Sequence, residues 1–127
     1  MAFSEKELKE RLSEEEYRVL REKDTEPRFS SELLEIENDG VFKCKVCGSV
    51  LFSTSEKFES KSGWPSFYDG EKDNLEFRED TSHGMSRTEV LCKECGSHLG
   101  HVFEDGPKDK TGKRYCINGL SLDFEED

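Results

Sequence analysis

The sequence lacks long apolar runs and an excess of basic residues. No stretch of about 18 consecutive apolar residues occurs in the 127-residue chain, which argues against a membrane-spanning helix. The 19 Lys and Arg residues are outnumbered by 30 Asp and Glu residues, and the net charge is -11. Because binding to nucleic acids and anionic lipids depends largely on cationic side chains, neither nucleic acid nor a membrane is an expected partner.

An export signal and a large apolar content are also missing. The first residues, MAFSEKELKERLSEEE, contain no apolar stretch typical of a signal peptide, so we expect a cytoplasmic protein. Only 31% of the residues are hydrophobic and 39% are charged, so the core must be small and would gain from a metal or a covalent link. The length favours a single domain over residues 1–127, and we expect a monomer.

Two regions with different patterns follow each other along the chain. Residues 4–23 carry two helical patterns, each opened by a Ser three residues before a Glu, as in a capping box. Because the outer faces are rich in Glu, we expect residues 1–24 to form a peripheral helical segment. Residues 25–124 predict an antiparallel β core, since apolar and polar residues alternate in short segments between glycines. The clearest predicted strands are residues 41–44, 75–79, 87–92 and 120–124.

Five cysteines are present, and four of them form two Cys-x-x-Cys pairs: Cys44 with Cys47, and Cys92 with Cys95. In a chain without an export signal, this spacing favours metal binding over disulfides. Four thiolates form the tetrahedral set that Zn²⁺ prefers, so we predict one structural zinc with no open coordination position for catalysis. Redox-active Cys-x-x-Cys pairs, or another metal such as iron, are the alternatives.

The fifth cysteine, Cys116, lies in a strand-like stretch near the C-terminus. A lone cysteine is often only a small buried apolar residue. Arg114 can however favour its thiolate, and Asn118 faces the same side of a strand. Upstream, His98 and His101 titrate near neutrality and are candidate proton donors, although such a pair can also be structural.

The stretch Gly63-Trp64-Pro65-Ser66-Phe67 is the other unusual element. Aromatic residues in a short turn usually belong to the core. A Trp between Gly and Pro is poorly placed for regular secondary structure, so a rigid aromatic wall beside a pocket is the alternative.

Taken in order, these motifs resemble the methionine-R-sulfoxide reductases of the B type. The resemblance covers nearly the whole chain from Thr25 to Phe124. Any one motif would be weak alone, but eight in the same order are highly specific. The motifs are Thr25-Glu26-Pro27, Gly40-Val41-Phe42-x-Cys44-x-x-Cys47, Gly63-Trp64-Pro65-Ser66-Phe67, Ser82-His83-Gly84-Met85, Cys92-x-x-Cys95, His98-Leu99-Gly100-His101-Val102-Phe103, Asp105-Gly106-Pro107 and Arg114-Tyr115-Cys116-Ile117-Asn118.

The resemblance implies a mainly β fold of two small antiparallel sheets, with the N-terminal helices packed alongside and the zinc away from the catalytic groove. It implies that Cys116 attacks the sulfur of a methionine R-sulfoxide, preferably in a peptide or protein, and becomes a sulfenic acid. Trp64 and Phe67 would bind the substrate, with Trp64 against its methyl group. The oxygen would be surrounded by His98, His101 and Asn118, and Arg114 would help to hold the thiolate.

One position departs from the family pattern. Many relatives carry a resolving cysteine immediately before the Gly-Trp-Pro-Ser-Phe stretch, where this chain has Ser62. We therefore expect an external reductant, such as a thioredoxin-like protein or a small dithiol, to reduce the sulfenic acid directly. Two other functions stay open: a non-catalytic zinc-ribbon module that binds a protein partner, and a general thiol-disulfide oxidoreductase that uses the Cys-x-x-Cys pairs.

Overall fold

The computed structural model describes residues 4–36, 38–58, 62–81, 84 and 86–126. Ser82, His83 and Met85 of the fourth motif lie outside these ranges. The helices are α1 (Glu5–Arg11) and α2 (Glu14–Glu22), and short 3-10 helices cover Glu32–Glu35, Thr54–Glu56, Lys72–Asn74 and Gly119–Ser121. The strands are β1 (Gly40–Cys44), β2 (Val50–Ser53), β3 (Lys57–Phe58), β4 (Ser66–Phe67), β5 (Leu75–Asp80), β6 (Arg87–Cys92), β7 (His98–Phe103), β8 (Arg114–Ile117) and β9 (Leu122–Glu126).

These strands form two antiparallel sheets, which confirms the predicted fold class. The smaller sheet has the order β2-β1-β9, and the larger has the order β3-β4-β8-β7-β6-β5. In the larger sheet Cys116 lies opposite Ser66 on one side and opposite His101 on the other. His101 in turn lies opposite Glu89 of β6. Because residues directly opposite each other in an antiparallel ladder share a face, these four side chains form one row across the sheet.

An aromatic cluster joins the two sheets. Phe42 and Phe52 of the smaller sheet pack on Phe67 of the larger one, with ring centroids 5.0 and 4.4 Å apart, and Phe52 also contacts Tyr115 at 5.8 Å. All four side chains are at most 1% exposed. Aromatic rings bury more apolar area than other side chains, so these rings supply much of the core that the low hydrophobic content leaves small.

The N-terminal helices pack one apolar face against the core, as the resemblance implied. Leu8 of α1 is 0% exposed and Leu20 of α2 is 1% exposed, and both belong to the main apolar cluster. Ser13 and Glu16 form the predicted capping box at the start of α2. The Glu-rich outer faces of the helices are therefore compatible with apolar inner faces that pack against the core. Among the described residues, no helix combines the length and the apolar character needed to cross a bilayer.

Candidate active site and metal site

The four paired cysteines meet where one strand of each sheet ends. Cys44 ends β1 and Cys92 ends β6, and each is followed by a turn that carries the second cysteine of its pair. The four sulfur atoms lie within 4.8 Å of one another, with 3.6 Å between Cys44 and Cys95 and 3.5 Å between Cys47 and Cys92. A tetrahedron with Zn–S distances of about 2.3 Å has S–S edges of about 3.8 Å, so this donor set fits a metal ion of that size.

The two cysteine turns have the same backbone geometry. Gly48 and Gly96 adopt φ values of 78° and 75°, and their N–H groups donate to the carbonyls of Cys44 and Cys92 at 2.9 and 2.7 Å. No heavy atom lies within 4 Å of a Cβ built at either glycine, so the left-handed φ and not crowding selects glycine here. Hydrogen bonds with Cys92 and Cys95 raise the pKa of the Cys44 thiol, because they stabilise its protonated form.

Each N-terminal helix is tied to one of these turns by an arginine. Arg11 of α1 donates to the carbonyl of Val46 at 3.2 Å. Arg21 of α2 donates to the carbonyl of Cys95 at 3.1 Å and to the hydroxyl of Ser97 at 3.2 Å. Docking of the helices and closure of the cysteine site are therefore structurally coupled.

A separate cleft, with a volume of about 250 Å³, opens at Cys116. The structure brings five of the predicted site residues to it, namely Trp64, His101, Arg114, Cys116 and Asn118. Its other lining residues are Thr25, Arg28, Ser62, Arg87, Gly100 and Phe103. Among the described residues, none of the four paired cysteines lines the cleft, so the four-cysteine cluster and the fifth thiol are separate features.

Burial controls the ionisation of Cys116. Loss of hydration raises the pKa of its thiol above the ordinary value, and this effect outweighs the hydroxyl of Ser62 and the guanidinium of Arg114, which both lower it. Ser62 Oγ lies 4.0 Å from Cys116 Sγ. Arg114 thus acts in the predicted direction, but it also forms a forked pair with Asp105 at 2.9 and 3.2 Å. The protein alone therefore favours the neutral thiol at neutral pH, contrary to the expectation of a preformed thiolate.

A buried carboxylate orients His98, which lies next to the cleft and not in its lining. Nδ1 of His98 is 2.8 Å from Oε2 of Glu89, and each side chain is 3% exposed. Burial lowers the pKa of His98, so the ring is neutral near pH 7, and the Glu89 carboxylate then assigns its proton to Nδ1. Nε2 is left as an acceptor that is buried and has no hydrogen-bond partner within the described part of the chain.

His101 has its own carboxylate partner. Its Nε2 is 2.7 Å from Oδ2 of Asp80 on β5, and its ring centroid is 5.5 Å from that of His98. Residues three apart in a regular strand face opposite sides. Here a register shift places Val90 opposite Gly100 and Leu91 opposite His98, which leaves one extra residue in β7 and lets the two rings meet.

Both carboxylates were missed by the sequence reasoning. The sequence does contain one signal for Glu89: this charged residue directly precedes Val90, Leu91 and Cys92 in a predicted strand. A charged residue beside buried apolar ones indicates a specific partner, because charged side chains are seldom buried without one. Arg87 of the same strand was also missed. It lines the cleft and pairs with Asp80 at 3.4 Å.

The backbone of Glu26 holds two of the predicted site residues. Its carbonyl accepts a hydrogen bond from Nε1 of Trp64 at 2.9 Å, and its N–H donates to Oδ1 of Asn118 at 3.0 Å. Nδ2 of Asn118 donates to the carbonyl of Leu99 at 3.0 Å. Asn118 therefore links β7 to the Glu26 segment as well as lining the cleft. Because Glu26 is 2% exposed, burial raises the pKa of its carboxyl group, which accepts from the Leu120 N–H at 2.8 Å.

Phe67 lies in the core and not in the cleft. Successive residues of a strand face opposite sides, and Ser66 shares the face of Cys116. Phe67 consequently points to the other side, where it is fully buried against Phe42 and Phe52. In this arrangement its ring supports the strand beside Cys116, which differs from the predicted contact with substrate.

The chain is similar to a known protein family, to named proteins and to a solved structure. A family model described as the SelR domain matches residues 12–126. A peptide methionine sulfoxide reductase MsrB of Methanosarcina barkeri is 56% identical over 96% of this chain and 86% of that protein. The corresponding MsrB of Leptospira interrogans is 51% identical over 98% of this chain and 95% of that protein.

Two further similarities are less complete. The mouse protein named methionine-R-sulfoxide reductase B3, mitochondrial, is 49% identical over 98% of this chain but only 49% of its own length. The crystal structure of a Mis18 'Yippee-like' domain matches with a TM-score of 0.54 and 17% identity, over 70% of this chain and 97% of that one. At that identity the second similarity shows a shared fold alone.

Proposed function

Because the chain belongs to the methionine-R-sulfoxide reductase B family, a family of oxidoreductases, we propose that it reduces methionine R-sulfoxide, mainly in peptides, through Cys116. The observation that carries this proposal is the cleft, where a thiol outside the four-cysteine cluster lies beside an indole ring and opposite a histidine. The indole of Trp64 offers an apolar wall for the methyl group. His101 offers a group that can carry a proton between sulfur and oxygen.

The proposed reaction is a two-electron transfer of oxygen. The sulfur of Cys116 attacks the sulfoxide sulfur and forms an S–S bond, and the S–O bond breaks. The oxygen then ends on the Cys116 sulfur as the S–S bond breaks, so the products are methionine and a Cys116 sulfenic acid. Burial keeps the thiol protonated, so its proton must leave as the new bond forms. His101 lies opposite Cys116 in the ladder and is the group placed to pass that proton to the departing oxygen. No proton from outside the cleft is then needed.

Recycling requires a reductant from outside the chain. The sequence contains five cysteines, and the other four are grouped at the metal site. A thioredoxin-like protein or a small dithiol would supply two thiols, form a disulfide and release the sulfenic oxygen as water. Ser62, the hydroxyl neighbour of Cys116, cannot form a disulfide.

We also propose that the four-cysteine cluster holds one Zn²⁺. Cys44, Cys47, Cys92 and Cys95 supply only thiolates at distances suited to tetrahedral coordination. With all four positions filled, the ion would stabilise the junction of the two sheets and supply no Lewis acid chemistry. By the precedent of zinc-finger peptides the contribution to folding is on the order of 10 kcal/mol.

The test compares the protein with a Cys116→Ser variant on the two epimers of blocked methionine sulfoxide. We expect the unmodified protein to reduce only the R epimer, and the variant to keep its metal and its fold while losing all activity. A metal-bound module that only binds a partner would show no activity in either form. Mass spectrometry after a single turnover without reductant is expected to find one added oxygen atom on Cys116.

A further inference from the structure

The turn from Pro27 to Ser30 forms part of the rim of the cleft. Arg28 lines the cleft, and its guanidinium lies 5.2 Å from the centroid of the Trp64 ring. The N–H of Phe29 donates to the carbonyl of Gly63 at 2.7 Å, next to Trp64. The turn is closed by Ser30, whose hydroxyl donates to the Pro27 carbonyl at 2.6 Å. These contacts give the turn a fixed position beside the indole.

Phe29 is unusual in conformation and in exposure. Its φ is 61°, in the left-handed region that a bulky residue rarely adopts. Its side chain is 69% exposed, so little packing within the chain compensates for this conformation. Backbone strain of this kind is concentrated at sites that hold ligands. An exposed aromatic ring in a strained and fixed turn therefore indicates a contact with another molecule.

Arg28 is the available cation of the cleft. Three lining residues are arginines although the net charge of the chain is -11. Arg87 pairs with Asp80 and Arg114 pairs with Asp105. Arg28 is exposed and forms no ion pair with any described residue. Stacking of a guanidinium on an indole face leaves its N–H edge able to bind a carboxylate.

The size of the cleft decides where the rest of a substrate must lie. Pockets that enclose a drug-sized ligand measure roughly 300–1,000 Å³. At about 250 Å³ this cleft suits one side chain and not the adjoining polypeptide. If the oxidised side chain occupies the cleft, as the proposed function requires, the flanking residues lie across the rim.

We propose that Arg28 and Phe29 form a docking site for the polypeptide that flanks the oxidised methionine, and that Arg28 selects substrates with an acidic residue next to it. Phe29 contributes apolar contact that does not depend on the charge of the flanking residue. The selection rests on the proposed sulfoxide reduction and specifies which protein segments are repaired fastest.

The experiment uses blocked five-residue peptides with a central methionine R-sulfoxide, flanked on both sides by either Glu or Gln, and a single blocked methionine R-sulfoxide. The ratio of kcat/KM between the Glu and the Gln peptide is measured for the unmodified protein, R28Q and F29S. The matched controls are R78Q and F77S on β5, which contributes no lining residue among those described. Both control residues are also exposed: the side chain of Arg78 is 58% exposed, and Phe77 is 40% exposed. Thermal melts check that all four variants are folded.

We expect the unmodified protein to prefer the Glu peptide by about three- to fivefold at low ionic strength, the effect of one exposed ion pair. The preference is expected to vanish in R28Q and in high salt. F29S should lower kcat/KM for both peptides by about fivefold, compared with its effect on kcat/KM for the single blocked residue. The ratio of kcat/KM between the Glu and Gln peptides should not change. R78Q and F77S should behave like the unmodified protein.

The docking site would be overturned if the unmodified protein reduced the Glu and Gln peptides at equal rates, or if R78Q lowered the preference for the Glu peptide as much as R28Q does. In both cases reduction of the single blocked residue would leave the proposed function standing. Failure to reduce any of the three substrates would overturn the proposed function together with the docking site.

Discussion

Replacing Glu89 with Gln tests the arrangement of the two histidines. The substitution keeps the size of the side chain and removes the charge that lies 2.8 Å from Nδ1 of His98. A Gln side chain can turn either its carbonyl or its amide towards the ring, so Nδ1 is no longer fixed as the donor. We expect slower sulfoxide reduction by a protein that still folds, because the tautomer of His98 is then no longer fixed and its ring packs 5.5 Å from His101, the proposed proton carrier.

The size of the effect follows from the contact that is lost. A hydrogen bond to a buried charged group contributes about 1.5–3 kcal/mol, which corresponds to a decrease of about 10- to 150-fold in kcat/KM if it acts fully on the reaction. Burial already lowers the pKa of His98, and the carboxylate opposes this. Without the carboxylate the pKa falls further, so the acidic limb of the pH profile should move to lower pH.

The assay is the pH profile of kcat/KM on a blocked R-sulfoxide, with nuclear magnetic resonance of the His98 ring nitrogens to identify the tautomer. Lys23→Gln is the matched control, because Lys23 pairs with the other oxygen of Glu89 at 3.3 Å but is 62% exposed. An exposed pair contributes little, so this variant should change kcat/KM by less than about twofold. An E89Q protein with unchanged activity and an unmoved acidic limb would refute the role assigned to Glu89.

The remaining predictions concern the thiol, its neighbour, the metal and the core. Alkylation of Cys116 should be slow at pH 7 and reach its midpoint above the usual pKa of about 8.5, since burial raises the pKa; a midpoint below that value would contradict this. Ser62→Cys should form a disulfide with Cys116 after one turnover, detectable by mass spectrometry, because the two side chains are in contact. Removal of metal by a chelator should lower the Tm and release one ion per chain, whereas an unchanged Tm would exclude a structural metal. Leu20→Ala should lower the free energy of unfolding by about 2–5 kcal/mol in urea titrations, because Leu20 is buried in the core. An unchanged free energy of unfolding would contradict this role of α2.

Local spacing was enough to predict the four-cysteine cluster and the strand that carries Cys116. Two Cys-x-x-Cys turns can bring four sulfurs together only if two strand ends meet, and the ends of β1 and β6 do so. The alternation before Cys44 and Cys92 predicted both strands. The 120–124 segment was predicted less well: its first two residues belong to a 3-10 helix, and the strand begins at Leu122.

Features that depend on pairing between distant strands were not predictable from one sequence. Glu89 and Asp80 reach the histidines through the registers of β5, β6 and β7, which no local pattern specifies. The extra residue at the register shift of β7 is equally invisible in the sequence. The direction of Phe67 depends on which face of β4 meets the core. The cytoplasmic location and the monomeric state stay predictions.

The position of β8 inside the larger sheet restricts how the proposed reaction could be completed. The strand that carries Cys116 is paired on both sides, with β4 on one side and β7 on the other. An interior strand cannot swing outwards without breaking two sets of ladder hydrogen bonds. In the proposed reaction the oxidised sulfur of Cys116 would therefore stay in the cleft, and a reductant would have to reach it there.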